Sequence, residues 1–248
     1  MSYLYVDGCS FTWGLELDNP PEENWGYFLG KKLNLPVKNK SYNGQGNEEM
    51  FRKLFEVLYL KDDLPSTIVI QLTLPTRIRI YNDSIKTWEA VGVGANWEFQ
   101  KDGMVTKEAE DFYFKYFYSD YERLYNTFRQ LLFFKDKCDS LGIKFYFFDG
   151  IYDFMKETER INNSANKDVL GDIYQIIVEK KFCLYDGVFS WNDINNGDRK
   201  EFRDQFNLFW EGREFKPSPD EFFCSDDHPT KESHKFMANE LYEFMKNG

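Results

Sequence analysis

The sequence predicts an α/β protein in which a central parallel sheet lies between two layers of helices. Two continuous apolar runs of strand length, "STIVIQLT" (66–73) and "GIKFYFFDG" (142–150), are typical of parallel strands that are covered on both faces. Amphipathic helical segments alternate with the strands, and this alternation favours right-handed βαβ crossovers and a three-layer α/β/α architecture. The length of 248 residues suits one domain, 1–248.

The first half of the chain supplies three strands and two strong helices in order. The strands are predicted from apolar or strand-forming runs, and the helices from apolar residues that recur at helical spacing. The predicted elements are a strand at 2–7, a helix at 24–34, a short strand at 36–39, an amphipathic helix at 48–60 and a buried strand at 66–73.

The character of the sequence changes at residues 77–107, where alternating residues and a segment rich in Gly and Trp predict a hairpin insertion that serves as a lid. Residues 108–140 then read as one long helix or two helices in succession. After the strand at 142–150, the remaining predicted elements are a helix at 167–181, a last strand at 182–186 and a closing amphipathic helix at 231–247.

Composition excludes several classes of function. The formal net charge is -11, and no block of Lys and Arg interrupts it, so we expect no nucleic-acid partner. No apolar run approaches the length of a membrane span, and the amino terminus lacks a signal-peptide pattern, so we expect no membrane partner. The four cysteines are far apart, which predicts a reducing cytoplasm rather than a disulfide framework. We expect no cofactor.

A small turn follows the first strand in "YVDGCSFTWG" (5–14). Gly8 permits a tight turn, and Ser10 would have its own amide at the start of a helix, where backbone donors favour an anion. Ser10 is therefore a candidate nucleophile, and the competing interpretation is a serine that only caps the helix. We interpret the neighbouring Cys9 as a small buried residue rather than a rival nucleophile.

Two further polar stretches lie near strand ends or the last helix. In "NKSYNGQGNEEM" (39–50), Gly44 offers an exposed amide, and Asn47 is a candidate oxyanion- or substrate-binding residue that could also cap the following helix. The alternative is a simple glycine turn with a cap, which explains most of this pattern. In "DDHPTKESH" (226–234), Asp226 and Asp227 precede His228, and a carboxylate can orient an imidazole as a base; the alternative is a polar loop before the last helix. The two histidines are six residues apart and miss the helical ligand spacing, so we expect no metal site.

In their order along the chain, these stretches resemble the sequence blocks of the SGNH (GDSL-like) hydrolase superfamily. "DGCSFTWG" resembles the serine block, "NKSYNGQGNEEM" the second block and "DDHPTKESHKFMANEL" the final block. The resemblance implies a flavodoxin-like sheet with Ser10 as nucleophile, His228 as base and the Gly44 amide in the oxyanion hole. "GCSFTWG" also resembles small members of the superfamily found in bacteriophage genomes. Residues 77–140 resemble no segment of it.

The sequence departs from the family pattern at two places. The third block of the family offers Gly-x-Asn-Asp, whereas here the strand runs into "QLTLPTR", and Pro75, which lacks a donor, falls near the Asn position. Thr73, Thr76 or Arg77 then takes over the oxyanion, or the hole lacks one donor. The family acid lies three residues before the histidine, at Ser225 in this chain.

The shifted register of the final block leaves Asp226 or Asp227 to orient His228, and we slightly favour Asp226. Arg77 follows the third strand, where its guanidinium would bind a carboxylate or phosphate of the substrate, or simply form a surface ion pair.

The resemblance implies an esterase or deacylase that acts on a small acyl ester or a carbohydrate O-acyl ester through a Ser-His-Asp triad. Acyl transfer to another hydroxyl uses the same intermediate and is a second outcome of the same chemistry. The alternative is a catalytically impaired binding module for a small ligand or sugar, whose cleft would be lined by Trp13, Trp88 and Trp97. A viral assembly component is a third option, and the compartment would then be the host cytoplasm. The sequence leaves the oligomeric state open.

Overall fold

The computed structural model describes residues 2–84, 86–91, 106–149, 154, 158, 168–180, 183–184, 223–224 and 228–247. In chain order the strands are β1 (Leu4–Asp7), β2 (Val37–Asn39), β3 (Thr67–Leu72), β4 (Ile78–Asn82), β5 (Thr87–Val91), β6 (Lys144–Asp149) and β7 (Cys183–Leu184). Within the described ranges, five strands form one parallel sheet in the order β2-β1-β3-β6-β7. The antiparallel pair β4 and β5 forms the predicted hairpin.

The helices cover both faces of the parallel sheet. In chain order they are α1 (Ser10–Trp13), α2 (Pro20–Glu23), α3 (Trp25–Leu33), α4 (Asn47–Leu60), α5 (Lys107–Tyr116), α6 (Asp120–Ser140), α7 (Asp168–Glu179) and α8 (Lys231–Asn247). The chain moves one way along the sheet from β1 to β2 and the other way from β2 to β3, so right-handed crossovers place α3 and α4 on opposite faces. In agreement, α8 packs on α3, whereas α6 packs on α4 and α7. The predicted three-layer α/β/α fold is therefore confirmed.

The core lies along the two central strands. All four residues of β1 and all six of β3 are buried, as expected for parallel strands with helices on both sides. The two strands pair in register, with Leu4 opposite Thr67 and Asp7 opposite Ile70. This register brings the segments that follow β1 and β3 to the same edge of the sheet, at its carboxyl end.

The structure makes two local predictions more definite and shows that a third is wrong. The helix after Ser10 has only four residues, because Gly14 takes a left-handed conformation (φ 90°, ψ 44°) that ends it. Residues 107–140 form two helices in succession, which is one of the two predicted alternatives, and the Ser119 side chain caps the second by accepting from the Glu122 amide. The cap of α4 is Gly46 and not Asn47, which is the first helical residue.

Candidate active site

The turn that carries Ser10 is held by close packing beneath it. A Cβ atom at Gly8 would lie 2.0 Å from Thr12 Oγ1, so only glycine fits where the chain leaves β1. Thr12 is fully buried; its hydroxyl donates to Gln71 Oε1 and accepts from Trp25 Nε1 at 3.2 Å. The side chains of β3 and α3 thus fix the turn in which Ser10 lies.

Ser10 is the first residue of α1 and lies at a buried position, 5% exposed. Cys9, not Ser10, occupies the helix-cap position, and Cys9 is fully buried, in agreement with its interpretation as a core residue. As a first helical residue, Ser10 has an amide with no partner inside its own helix. The Ser10 hydroxyl has its side-chain partner outside α1.

That partner is His228. The Nε2 atom of His228 lies 3.1 Å from the Ser10 Oγ atom, across 218 residues of sequence. This separation is within the range in which an imidazole takes a proton from a serine hydroxyl. The structure thus brings together the two residues that the sequence singled out at opposite ends of the chain.

Backbone and ring contacts hold His228 in position. Its carbonyl accepts from the Cys224 amide at 2.8 Å, and the adjoining Pro229 forms an antiparallel bridge with Phe223. The Phe11 ring contacts the imidazole edge-on, with 5.1 Å between ring centroids. The loop before α8 therefore presents His228 to Ser10 from a defined direction.

Sequence reasoning missed Glu16. Its Oε2 atom lies 3.3 Å from His228 Nδ1, the nitrogen that faces away from Ser10, and this is an ion-pair distance. The carboxylate comes from the turn after α1, whereas the sequence interpretation considered only the two acids beside the histidine. Those two acids, Asp226 and Asp227, lie outside the described residues.

The second histidine has a different environment. His234 lies in α8, is fully buried, and its Nδ1 atom accepts from the Trp25 amide at 3.1 Å. Burial, with a smaller contribution from the nearby His228, lowers the pKa of His234 to about 3. The side chain is thus a neutral acceptor for the first amide of α3, which has no partner within that helix.

The second sequence block is anchored beneath the site by a buried carboxylate. Gly44 has a positive φ of 70°, and the side chain of the next residue, Gln45, donates to Asp7 Oδ1 at 2.8 Å. Asp7 also receives the Lys53 ammonium at 3.2 Å and the Tyr5 hydroxyl at 3.0 Å. Burial raises the pKa of Asp7 even though these donors oppose the change. The loop with Gly44 is thus tied to the last residue of β1.

The third strand ends against α4. The Asn47 side chain forms two hydrogen bonds with the backbone of Thr73: its Nδ2 donates to the Thr73 carbonyl at 2.9 Å, and its Oδ1 accepts from the Thr73 amide at 2.8 Å. Asn47 therefore positions Thr73 in this structure, a role that the sequence did not suggest. The register of β1 and β3 places Thr73 level with the Ser10 turn.

The side chain of Arg77 contacts Thr73, the residue that follows β3. Its Nη1 atom donates to Thr73 Oγ1 at 2.9 Å, and its carbonyl lies so close to Gly46 that a Cβ there would be 2.2 Å away. Within the described part of the chain, no carboxylate lies at ion-pair distance from Arg77, whereas Arg79 pairs with Glu49 at 3.3 Å. The guanidinium is thus held next to Thr73 at the strand end.

A cavity of about 510 Å³ lies beside α1. It is lined by Trp13, Pro20, Pro21, Asn24, Val37, Asn39 and Ser41. Trp13, three residues after Ser10, is 39% exposed and is the one predicted cleft tryptophan whose side chain is described. Trp88 lies in β5, and Trp97 lies outside the described residues.

In the described ranges, no group of three or more His, Cys, Asp or Glu side chains forms a set of metal ligands. The same ranges contain no helix with both the length and the apolar character needed to cross a membrane.

Comparison with solved structures identifies the fold. The chain is similar to TesA, with a TM-score of 0.50 and 15% sequence identity over 99% of both chains. It is also similar to a putative lipolytic protein of the G-D-S-L family from Desulfitobacterium hafniense DCB-2, with a TM-score of 0.49 and 15% identity over 98% of this chain and 99% of that one. At this identity the likeness to TesA concerns the fold alone.

The other two comparisons found nothing. No protein-family model matches the sequence. No curated protein matches it either.

Proposed function

We propose that this chain is a divergent member of the SGNH hydrolase superfamily and acts as a serine ester hydrolase. The observation that carries the proposal is the 3.1 Å separation between His228 Nε2 and Ser10 Oγ. The two residues come from opposite ends of the chain, and the contact joins a nucleophile to a base at the carboxyl edge of the sheet. Such an edge is where parallel α/β sheets place their sites.

Ser10 attacks the ester carbonyl while His228 takes the hydroxyl proton. The tetrahedral intermediate collapses to an acyl-serine, and His228 returns the proton to the departing alcohol. Water then attacks the acyl-serine with His228 again as base, which releases the acid and restores the Ser10 hydroxyl. If an alcohol replaces water in the second half, the same site performs acyl transfer.

The oxyanion is held by the amides of Ser10 and Gly44, with Thr73 and Arg77 in place of the asparagine that the family has after its third strand. Two contacts support this assignment. Asn47 fixes the Thr73 backbone, and the guanidinium of Arg77 donates to Thr73 Oγ1. Because Arg77 donates to that oxygen, the hydroxyl proton of Thr73 is available for another acceptor.

The substrate is a small acyl ester or a carbohydrate O-acyl ester. The cavity beside α1 has a volume of about 510 Å³, which is within the usual range of ligand pockets, and Trp13, three residues after Ser10, lies in its wall. A half-exposed tryptophan in its wall gives an apolar platform for a sugar ring or a short acyl chain.

Labelling with a fluorophosphonate probe tests the nucleophile. We expect the wild type to be labelled and Ser10→Ala to remain unlabelled, because the probe phosphonylates an activated serine. Cys9→Ala and Ser140→Ala are matched controls: the first removes the neighbouring thiol, the second an exposed hydroxyl at the end of α6, and both should be labelled like the wild type. Equal labelling of wild type and Ser10→Ala, or no labelling of either, would contradict the proposal.

A binding module on the same scaffold is the second candidate function. The observation that favours it is Pro75, which supplies no donor where the family has its asparagine. Hydrolysis of acetyl or butyryl esters by the wild type, lost in Ser10→Ala, would exclude this alternative. Sugar binding without measurable hydrolysis would support it.

A further inference from the structure

We infer that Glu16 is the carboxylate that orients His228, so that the acid of the site comes from the turn after α1 and not from the loop before the histidine. The inference rests on the proposed function, and it goes beyond it by assigning a positioning residue that the sequence blocks do not contain. The juxtaposition that carries it is Glu16 Oε2 at 3.3 Å from His228 Nδ1, with Ser10 Oγ at 3.1 Å from Nε2 of the same ring.

The three groups lie in the order that general-base catalysis by histidine requires. A carboxylate on Nδ1 keeps the proton on that nitrogen and leaves Nε2 free to accept the serine proton. The carboxylate also stabilises the imidazolium that forms when the proton arrives. The separation of 3.3 Å is an ion-pair distance that does not meet hydrogen-bond geometry in this structure. Catalytic hydrogen bonds are often long or poorly aligned without substrate and shorten in the bound complex.

The backbone of Ser10 itself fixes the position of Glu16. The Ser10 carbonyl accepts from the amides of Gly14 and Leu15, at 2.9 Å and 3.0 Å, so the chain turns back directly after α1. Glu16 follows with a φ of 69°. A residue other than glycine is held in this region only where its surroundings demand it, and such positions are common at functional sites.

The side chains of the pair are shielded but still accessible. His228 is 17% exposed and Glu16 is 21% exposed, so the carboxylate is neither fully hydrated nor sealed from solvent. Partial burial strengthens the interaction of the carboxylate with a developing imidazolium relative to an exposed pair. The imidazole also packs against the Phe11 ring in a T-shaped arrangement, with 5.1 Å between ring centroids.

The experiment compares Glu16→Gln with Asp226→Asn and Asp227→Asn. Each variant removes one charge and keeps the size of the side chain. We measure kcat and KM for p-nitrophenyl butyrate, the second-order rate of fluorophosphonate labelling, and the thermal midpoint. Glu22→Gln is the matched control, because Glu22 lies in the neighbouring helix α2 and its carboxylate accepts from the Asn19 side chain.

Glu16→Gln should lower kcat and the labelling rate by about 10²- to 10⁴-fold with KM nearly unchanged, because loss of the orienting carboxylate leaves the imidazole in the wrong tautomer. Glu16→Asp should recover part of the loss. The control should react like the wild type, and each of the two aspartate variants should lose less than Glu16→Gln. A loss in either aspartate variant that equals or exceeds the loss in Glu16→Gln overturns the inference.

A spectroscopic measurement keeps the inference testable even if the wild type hydrolyses no ester. Only two histidines occur in the chain, so a sample labelled with ¹⁵N-histidine gives few ring signals to assign. A proton held between Nδ1 and a carboxylate gives a far-downfield N–H resonance. We expect this resonance in the wild type and in both aspartate variants, and its loss in Glu16→Gln. Persistence of the resonance in Glu16→Gln overturns the inference independently of any activity.

Discussion

The two histidines of this chain lie six residues apart and have opposite environments. His228 precedes α8, keeps part of its ring accessible, and meets a serine hydroxyl with Nε2. His234 lies within α8, is fully buried, and accepts a backbone amide of α3 with Nδ1. The same side chain thus serves a reacting group at one position and a helix end at the other.

The difference shows how the fold connects the two roles. The contact between His234 and Trp25 joins α8 to the start of α3, and the Trp25 ring in turn donates to Thr12 in the turn of Ser10. Both partners of the Ser10–His228 contact are therefore attached to the same helix end. A buried histidine that performs no chemistry thus stabilises the packing of α8 against the start of α3.

The largest expected effect is on the reacting histidine. His228→Ala should lower kcat/KM for acetyl or butyryl esters by about 10³-fold or more, since removal of a general base and of nucleophile activation commonly has this size. The thermal midpoint should change little, because the ring is partly exposed. Steady-state kinetics beside thermal melting checks both parts. A variant that retains hydrolysis would show that the contact with Ser10 has no catalytic role.

The second expected effect is a loss of stability with little change in activity, the opposite of the effect of His228→Ala. His234→Leu should lower the free energy of unfolding by about 1–3 kcal/mol, because the Trp25 amide would remain buried without an acceptor. His234→Asn should lose less, since its side-chain oxygen replaces Nδ1. Urea unfolding measures the change, and activity per folded molecule should stay near the wild-type value.

Lys231→Ala is the matched control for the hydrogen bond between His234 and Trp25, because Lys231 also joins α8 to the α2–α3 region. Lys231 forms an ion pair with Glu23 at 2.6 Å, in which the lysine side chain is 48% exposed and the glutamate side chain 14%. A surface ion pair whose cation is solvated contributes about 0–1 kcal/mol. If Lys231→Ala lowered the free energy of unfolding as much as His234→Leu, the buried hydrogen bond would contribute no more than the ion pair at the surface.

The sequence predicted the parts of the site that depend on the order of elements. The order of the sequence blocks, through their resemblance to a known superfamily, implied that the serine after β1 and the histidine before the last helix approach each other. In the structure Ser10 Oγ and His228 Nε2 lie 3.1 Å apart. The predicted strands and most helix positions depend on local apolar periodicity, which is why they agree with the structure.

The sequence did not predict the parts that depend on the direction of a turn. Glu16 approaches His228 because Gly14 adopts a left-handed conformation and reverses the chain after α1. The residues around Gly14 do not predict the direction that the chain takes after this turn. The hydrogen bonds between Asn47 and Thr73 likewise form only because the fold brings together two segments that are 26 residues apart in sequence. Asn47 was predicted to be a helix cap for the same reason: the sequence shows neighbours along the chain and not across the sheet.

A pH dependence of stability separates the two histidines. The pKa of His234 is lowered from 6.5 to about 3 by burial, so below pH 6.5 the unfolded chain binds a proton at this position that the folded chain does not. The free energy of unfolding should therefore fall by up to about 1.4 kcal/mol per pH unit as the pH drops from 6.5 toward 3, and this contribution should be constant above 6.5. His234→Asn lacks the titrating ring but keeps an acceptor, so the difference in unfolding free energy between the two proteins isolates the contribution of this titration. Urea unfolding measures it from about pH 4.5 to about pH 7.5, on both sides of the ordinary histidine pKa. The two stability curves should converge toward low pH if the wild type begins higher, and parallel curves would show that His234 titrates normally and is not held neutral by the fold.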